Sequence, residues 1–493
     1  MRDAHFCSHS YNSRTKMAKR TKIVATIGLA SEKKETLRKM VAAGMNVARL
    51  NFSHSGYQWH SKIIDTVRNI SRAMKIPVGI LADLQGPRVR VLVSGDMEVK
   101  NGEIVKIFDI TGKPNYETDS KFVTLDYPGI IKDIKINNDI LIEDGLIKLK
   151  VFRKNRNCLE TEVVNGGIVK NHKGVNIPGA RLNVGAITEK DEKDLKFALG
   201  KDVDFVALSF VKDGKDIKNL KNKIKKIAKR EKNAPLIVSK IERAEAIENI
   251  DEIIRSSDII MVARGDLGIE MEESKVVIFQ KEIIAKCLRA AKPVIVATQM
   301  LDSMIRNPRP TRAEVSDVSN AVIDHTDAVM LSGETADGKY PVEAVEIMEK
   351  IVEVTESSPF DDLGHGFLKD KKLSVSAAVS QSAHELMKDS QAKAVVVASI
   401  SGFTARMIAR HRPDQEIYVV TNNAKTQNQL SIVWGIQSFI LPDCHTLDAL
   451  IDKSIEILKK NKLLKKNDRV VIVTGRPHVK KEHMSLVKFE EIK

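Results

Sequence analysis

Two short segments place charged side chains at spacings suited to work on a phosphate. SKIE sets Lys240 two residues before Glu242, and VARGD sets Arg264, Gly265 and Asp266 directly after an apolar run. Other apolar runs end in the same manner. One leads into Arg49, Asn51, Ser53 and His54, another into Asp83, another into Thr298 and Gln299, and a last one into Ser332 and Glu334. Glu242 and Asp266 offer two hard oxygen ligands, a number that suits Mg²⁺ or Mn²⁺ with phosphate and water filling the remaining positions. Lys240 and Arg49 supply the positive charge that a phosphoryl group in transfer requires. Taken singly, each feature has a plainer reading: Lys240 and Glu242 can be a structural ion pair, and Asp266 a turn or helix cap. The set gains force only if one fold brings these ends to one place.

The pattern of the chain supplies such a fold. Short apolar runs (TKIVATIG, NVARLNFS, VGILADL, DFVALSF, PLIVSKIE, IIMVARGD, PVIVATQM, AVMLSGET) alternate with amphipathic segments such as SEKKETLRKMVAAG. Apolar strands alternating with helices indicate a parallel sheet covered by helices. About eight such units predict a closed (β/α)8 TIM barrel, whose active groups sit at the C-terminal ends of the strands. The alternation breaks after Asp83. Residues 87–178 show alternating runs (EIVKIF, GLIKLKV) and turn signals at Asn101-Gly102, Asp144-Gly145 and Gly166-Gly167, a small all-β domain inserted into the barrel. Barrel parts are expected at 18–86 and 179–355. A polar linker follows at 356–372, and 373–493 reads as a C-terminal doubly wound α/β domain from AVVVAS, EIYVVTN, SFILP and RVVIVTG. Residues 1–17 have no apolar core of a secretory signal and read as a disordered tail or a mis-assigned start, with Met17 the alternative start.

Bulk properties narrow the function classes. A hydrophobic share of 42% provides for large cores, and no apolar run nears the roughly 20 residues of a bilayer span. Four scattered cysteines argue against a zinc site or disulfide framework and fit a reducing, cytoplasmic setting. The net charge of +15 raises nucleic-acid binding, but 4% aromatics leave few stacking platforms. The densest basic run, residues 215–232, carries Ile217, Leu220, Ile224 and Ile227 at helical spacing, so its lysines form a solvated helix face. A basic field attracting phosphorylated substrates is the remaining option, with neither nucleic acid nor membrane as partner.

The segments TKIVATIG, ARLNFSH, SKIE, MVARGDLGIE, ATQMLDSM, RPTRAEVSDVSNAV and LSGETADGKYPVEAV resemble the pyruvate kinase family, from about residue 18 to near the C-terminus. The resemblance implies phosphoryl transfer from phosphoenolpyruvate to ADP, giving ATP and pyruvate in glycolysis, by a homotetramer. Glu242 and Asp266 would hold Mg²⁺ or Mn²⁺, Lys240 would stabilise the phosphoryl group and Arg49 would hold the phosphate. The backbone N–H groups of Gly265 and Asp266 would receive the substrate carboxylate. Thr298 would lie near the enolate, and Ser332 would belong to the water network that protonates it. Asn51, His54 and Arg90 match nucleotide-side positions, and Asp144 and Lys173 would close over the site from the inserted lid, Lys173 also on the nucleotide side. Leu29 stands where the family usually has proline, which bears on adenine contact.

Many members read D-T-K-G-P-E after the third strand and bind K⁺ through groups matching Asn51, Ser53, Asp83 and the carbonyl of Leu84. Here Arg88 replaces the Glu. A guanidinium is a permanent, weakly hydrated cation, so Arg88 near Asp83 would stand in for K⁺ and K⁺ would not be required. The plainer alternative is a surface arginine at the hinge. In the C-terminal domain, Ser399, Ser401, Gly402 and Thr404 would cradle a phosphate of an allosteric effector, or else cap a helix, with Arg476, His478, Lys480 and Lys481 as further anion partners. Two rivals remain. One is another enolate-handling barrel enzyme such as a carbon–carbon lyase, and the other a non-catalytic RNA- or effector-binding protein on the same scaffold.

Overall fold

The computed structural model describes residues 19–112, 121–180, 185–228, 234–361, 363, 374–475 and 484–493. The proposed tail, most of the linker, and Arg476, His478, Lys480 and Lys481 lie outside them.

The eight apolar runs form eight strands: β1 (Lys22–Thr26), β2 (Met45–Asn51), β3 (Gly79–Asp83), β4 (Phe205–Leu208), β5 (Leu236–Ile241), β6 (Ile259–Ala263), β7 (Val294–Ala297) and β8 (Ala328–Leu331). They pair in parallel, each with its neighbours in chain order, and β8 closes onto β1. Side chains alternate between the two faces of each strand. Ile23 and Ala25 pack outward against the helices, while Val24 points into the barrel with Val47, Leu81, Phe205, Val238, Met261, Ile295 and Met330. Burial on both faces explains why the strands read as continuous apolar runs. The helix Gly214–Ala228 buries Ile217, Leu220 and Ile224 and exposes its lysines, as the basic run predicts. Ile227, in its last turn, is exposed instead.

The insertion forms a second closed barrel of seven short strands, beginning at Val89–Leu92 and returning to the main barrel through Gly174–Asn176. It has its own apolar core. The C-terminal sheet has five strands. Four are parallel, and the fifth, Leu486–Glu491, runs antiparallel on the edge beside Arg469–Thr474, an element absent from the sequence expectation. This domain plugs the floor of the barrel: Ile432, Val433 and Trp434 join the core inside it. Among the described residues, no helix is long and apolar enough to cross a membrane.

Candidate active site

The parallel register sets strand ends side by side. Thr26 pairs with Arg49, and Asn51 with Asp83. Around this rim the charges form one connected group. Arg49 donates from Nε (2.8 Å) and Nη2 (2.7 Å) to the same oxygen of Asp83, and from Nη1 to Thr26 Oγ1 at 2.9 Å. The Lys240 ammonium lies 2.7 Å from Glu242 Oε1 and 3.5 Å from Asp83 Oδ1, and donates to Ser209 Oγ at 2.9 Å. The second Glu242 oxygen accepts the Phe210 N–H at 2.7 Å, and Ser209 Oγ donates to the Leu84 carbonyl at 2.9 Å. Phe210 takes a left-handed φ of 54°, which turns its N–H toward the carboxylate.

Burial makes these charges act strongly on one another. Desolvation alone would lower the Lys240 ammonium, but Asp83 and Glu242 outweigh it and hold the group above its ordinary value. Burial pushes the Glu242 carboxyl up against the pull of Lys240, and the charge of Asp266 adds to the upward push. Two oxygen-donor carboxylates that repel each other in a buried mouth form a donor set that fits a hard divalent cation, because the cation removes the repulsion. Among the described residues, no group of three or more His, Cys, Asp or Glu side chains is arranged to hold a metal.

Asp266 sits in the first turn of the helix Arg264–Glu270, directly after β6. Thr298 and Gln299, directly after β7, both adopt left-handed backbone, with φ of 70° and 52°. For a β-branched residue such as Thr298 this conformation is strained and marks a position held for a purpose. Its hydroxyl donates to the Ala297 carbonyl (2.6 Å) and accepts the Gly265 N–H (2.7 Å). The Gly265 N–H therefore has an internal partner, which a substrate carboxylate would have to displace. Arg264 turns away from the rim chemistry: it pairs with Asp317 at 2.7 Å and donates to the Thr298 carbonyl at 2.8 Å, clamping that loop. Glu334 is likewise internal, taking the Leu301 and Ser332 N–H groups at 3.0 and 2.7 Å. Ser332 Oγ is buried with no hydrogen-bond partner.

Other expected residues make contacts of their own. Asn51 Oδ1 caps the Ser53 N–H at 3.1 Å, and His54 is exposed, its carbonyl 3.0 Å from His60 Nε2. On the lid, Lys173 pairs with Glu143 at 2.5 Å, and the Arg90 N–H donates to Asp126 at 2.7 Å. Arg88 departs from the expectation of a place beside Asp83. Its ion-pair partner is Asp144, at 3.3 Å on an exposed edge, while Asp83 is paired with Arg49 and Lys240. Arg88 immediately precedes the first lid strand, so the lid backbone carries it away from β3. It still lines the crevice between lid and barrel, together with Asn176, Phe210, Arg243, Asp266 and Glu270. In the C-terminal domain Ser399 and Thr404 are buried, and Gly402 takes a φ of 75° ahead of the short helix Phe403–Ala409.

Thr26, Ser209 and Phe210 were missed. Their positions at the ends of β1 and β4 are the signal that marks them in the sequence.

A closed parallel barrel with this rim, an inserted β-barrel lid and an α/β tail defines a class: a barrel enzyme with a lidded, cation- and carboxylate-lined mouth. Residues 18–345 match the family model "Pyruvate kinase, barrel domain", and residues 377–489 match "Pyruvate kinase, alpha/beta domain". The chain is 41% identical to a pyruvate kinase of Geobacillus stearothermophilus over 94% of its own length and 78% of that protein's. It is 41% identical to one from Staphylococcus epidermidis over 95% and 80% of the two chains. The crystal structure of a pyruvate kinase from Cryptosporidium parvum superposes with a TM-score of 0.89, at 34% identity and 96% coverage of both chains. The chain belongs to the pyruvate kinase family.

Proposed function

We propose that the mouth of the barrel transfers the phosphoryl group of phosphoenolpyruvate to ADP, with Mg²⁺ or Mn²⁺ held by Glu242 and Asp266. The bond from phosphorus to the enol oxygen breaks, a bond to the terminal phosphate of ADP forms, and the enolate takes a proton at carbon to give pyruvate. The observation that carries this reading is the buried Arg49–Asp83–Lys240–Glu242 cluster. It presents two fixed cations where phosphoryl charge must be held, without reorganisation during the reaction. The divalent ion would neutralise phosphate charge and orient the oxygens. Lys240 holds the phosphoryl group, Arg49 grips its oxygens, and the N–H groups at Gly265 and Asp266 receive the substrate carboxylate. Thr298 faces the enolate, and the unpartnered hydroxyl of Ser332 anchors the water that delivers the proton. Asn51, His54, Arg90 and Lys173 serve the nucleotide side, and Asp144 and Lys173 act from the lid.

The same reading includes independence from K⁺. Asn51, Ser53, Asp83 and the Leu84 carbonyl form the monovalent pocket of the family, and Arg88 replaces the ion's charge from the lid side of the crevice it shares with Asp266. A homotetrameric, cytoplasmic enzyme with a phosphorylated effector at Ser399, Ser401, Gly402 and Thr404 completes the proposal. The test is pyruvate formation from phosphoenolpyruvate and ADP with Mg²⁺, with and without K⁺. Equal rates are expected for the natural chain, and Arg88→Glu should make the rate K⁺-dependent. An Arg88→Glu protein fully active without K⁺ would remove Arg88 from the role.

A further inference from the structure

The lid returns to the barrel through residues 174–180, and the barrel grips this return segment at two points. Asn176, on the last lid strand, donates from Nδ2 to Glu270 Oε1 at 3.4 Å. Arg243, itself buried, donates from Nη2 to the Ala180 carbonyl at 3.2 Å. The two barrel residues also act on each other: burial raises the Glu270 carboxyl, and the charge of Arg243 opposes that rise. Their places in the chain matter most. Arg243 directly follows Glu242, and Glu270 closes the seven-residue helix whose first turn holds Asp266. Each grip is therefore a short, rigid step from one of the two carboxylates assigned to the divalent cation. Loops and return strands of this kind ordinarily move as a lid seats. A shift of the return segment would reach both carboxylates through these two contacts.

We propose that Asn176, Glu270 and Arg243 form a latch that couples the seating of the lid to the spacing of Glu242 and Asp266, so that cation binding and lid closure are one linked equilibrium. They are positioning residues, and the proposal rests on the assignment of the cation to Glu242 and Asp266. Linkage requires the effect to be reciprocal: what unseats the lid must weaken the cation.

Asn176→Asp and Glu270→Gln are isosteric and interchange the amide and the carboxylate. Asn176→Asp alone sets two carboxylates face to face. The full chain would be titrated with Mn²⁺ by electron paramagnetic resonance, without substrates, and assayed in parallel. Asn176→Asp should weaken Mn²⁺ binding about tenfold and raise KM for phosphoenolpyruvate by a similar factor, with kcat changed less. The double swap should restore both to within about threefold, because an amide again faces a carboxylate. Unchanged Mn²⁺ affinity in Asn176→Asp, or a double swap no better than the single variant, overturns the latch. Asp266→Asn separates the two layers of the argument. If it leaves Mn²⁺ binding intact, the cation assignment fails. If it abolishes binding while Asn176→Asp has no effect, the latch alone fails.

Discussion

The two ends of the barrel both bury charge, and they treat it differently. At the floor, Asp327 meets Arg412 at 3.0 Å, and its two oxygens also accept the N–H groups of Trp434 and Val294, both at 3.1 Å. The Arg412 guanidinium stacks over Trp434 at 4.9 Å. Every lone-pair direction that matters on Asp327 is in use, and the pair joins the barrel to the C-terminal domain. At the mouth, Asp83 Oδ1 and Ser332 Oγ are buried without a hydrogen bond, Glu242 is raised by burial and by Asp266, and Thr298 is held in left-handed backbone. A buried carboxylate with both oxygens hydrogen-bonded reports structure. A cluster left short of partners reports a place prepared for something that arrives later. The division is not absolute, since Arg412 Nε is itself buried without a hydrogen bond, and Asp204 at the floor keeps one oxygen without one, 3.9 Å from Lys425.

The contrast can be broken by exchanging its effects. Lys240→Met should lower kcat by about 10³ or more, since a positioned cation at the reacting group is removed. Steady-state kinetics on the folded variant would measure it, and a loss below about tenfold would make Lys240 a structural cation like Arg412. Arg412→Met should do the reverse. Breaking a buried pair leaves Asp327 charged and costs about 3–5 kcal/mol, seen as a lower midpoint in calorimetry, while turnover of the folded fraction stays within about twofold. A turnover loss as large as that of Lys240→Met would erase the distinction between the ends.

The smallest effect sharpens it through pH. The Glu242 carboxyl is raised in the folded chain, so the folded state binds its proton more readily than the unfolded state does. The sign follows: this group favours folding at low pH, and that contribution is lost as pH rises through the raised value. Glu242→Gln should therefore flatten the stability–pH curve of the metal-free chain above the ordinary carboxyl range, and Mg²⁺ should flatten it in the natural chain. Matching slopes in the two chains, measured by urea denaturation across that range, would assign the strain to another group.

Much of the fold was legible because burial on both faces forces a parallel strand to be apolar throughout. Runs such as PLIVSKIE and IIMVARGD therefore announce themselves, and the loss of that pattern after Asp83 announces the insertion. The edge strand Leu486–Glu491 escaped notice because it is half exposed and charged. Its sequence, LVKFEE, alternates too weakly to separate it from surface chain.

The sequence by itself determined which residue types stand at the strand ends, and the order of those ends around the rim follows from chain order in a right-handed barrel. It also carried the family, since several of the long motifs that match end at the rim, among them SKIE and MVARGDLGIE. Only the tertiary structure decided which charges pair. Arg49 and Lys240 share Asp83 because register brings β2, β3 and β5 to one level. Arg88 goes to Asp144 because a turn 56 residues farther along the same lid folds back beside it. Ser209 and Phe210 enter the site because β4 pairs with β5, which sets its end beside Lys240 and Glu242. Spacing along a chain fixes the direction of a side chain only within one element. Which elements meet, and at what height, is settled by packing across hundreds of residues, and pairing energies follow from that.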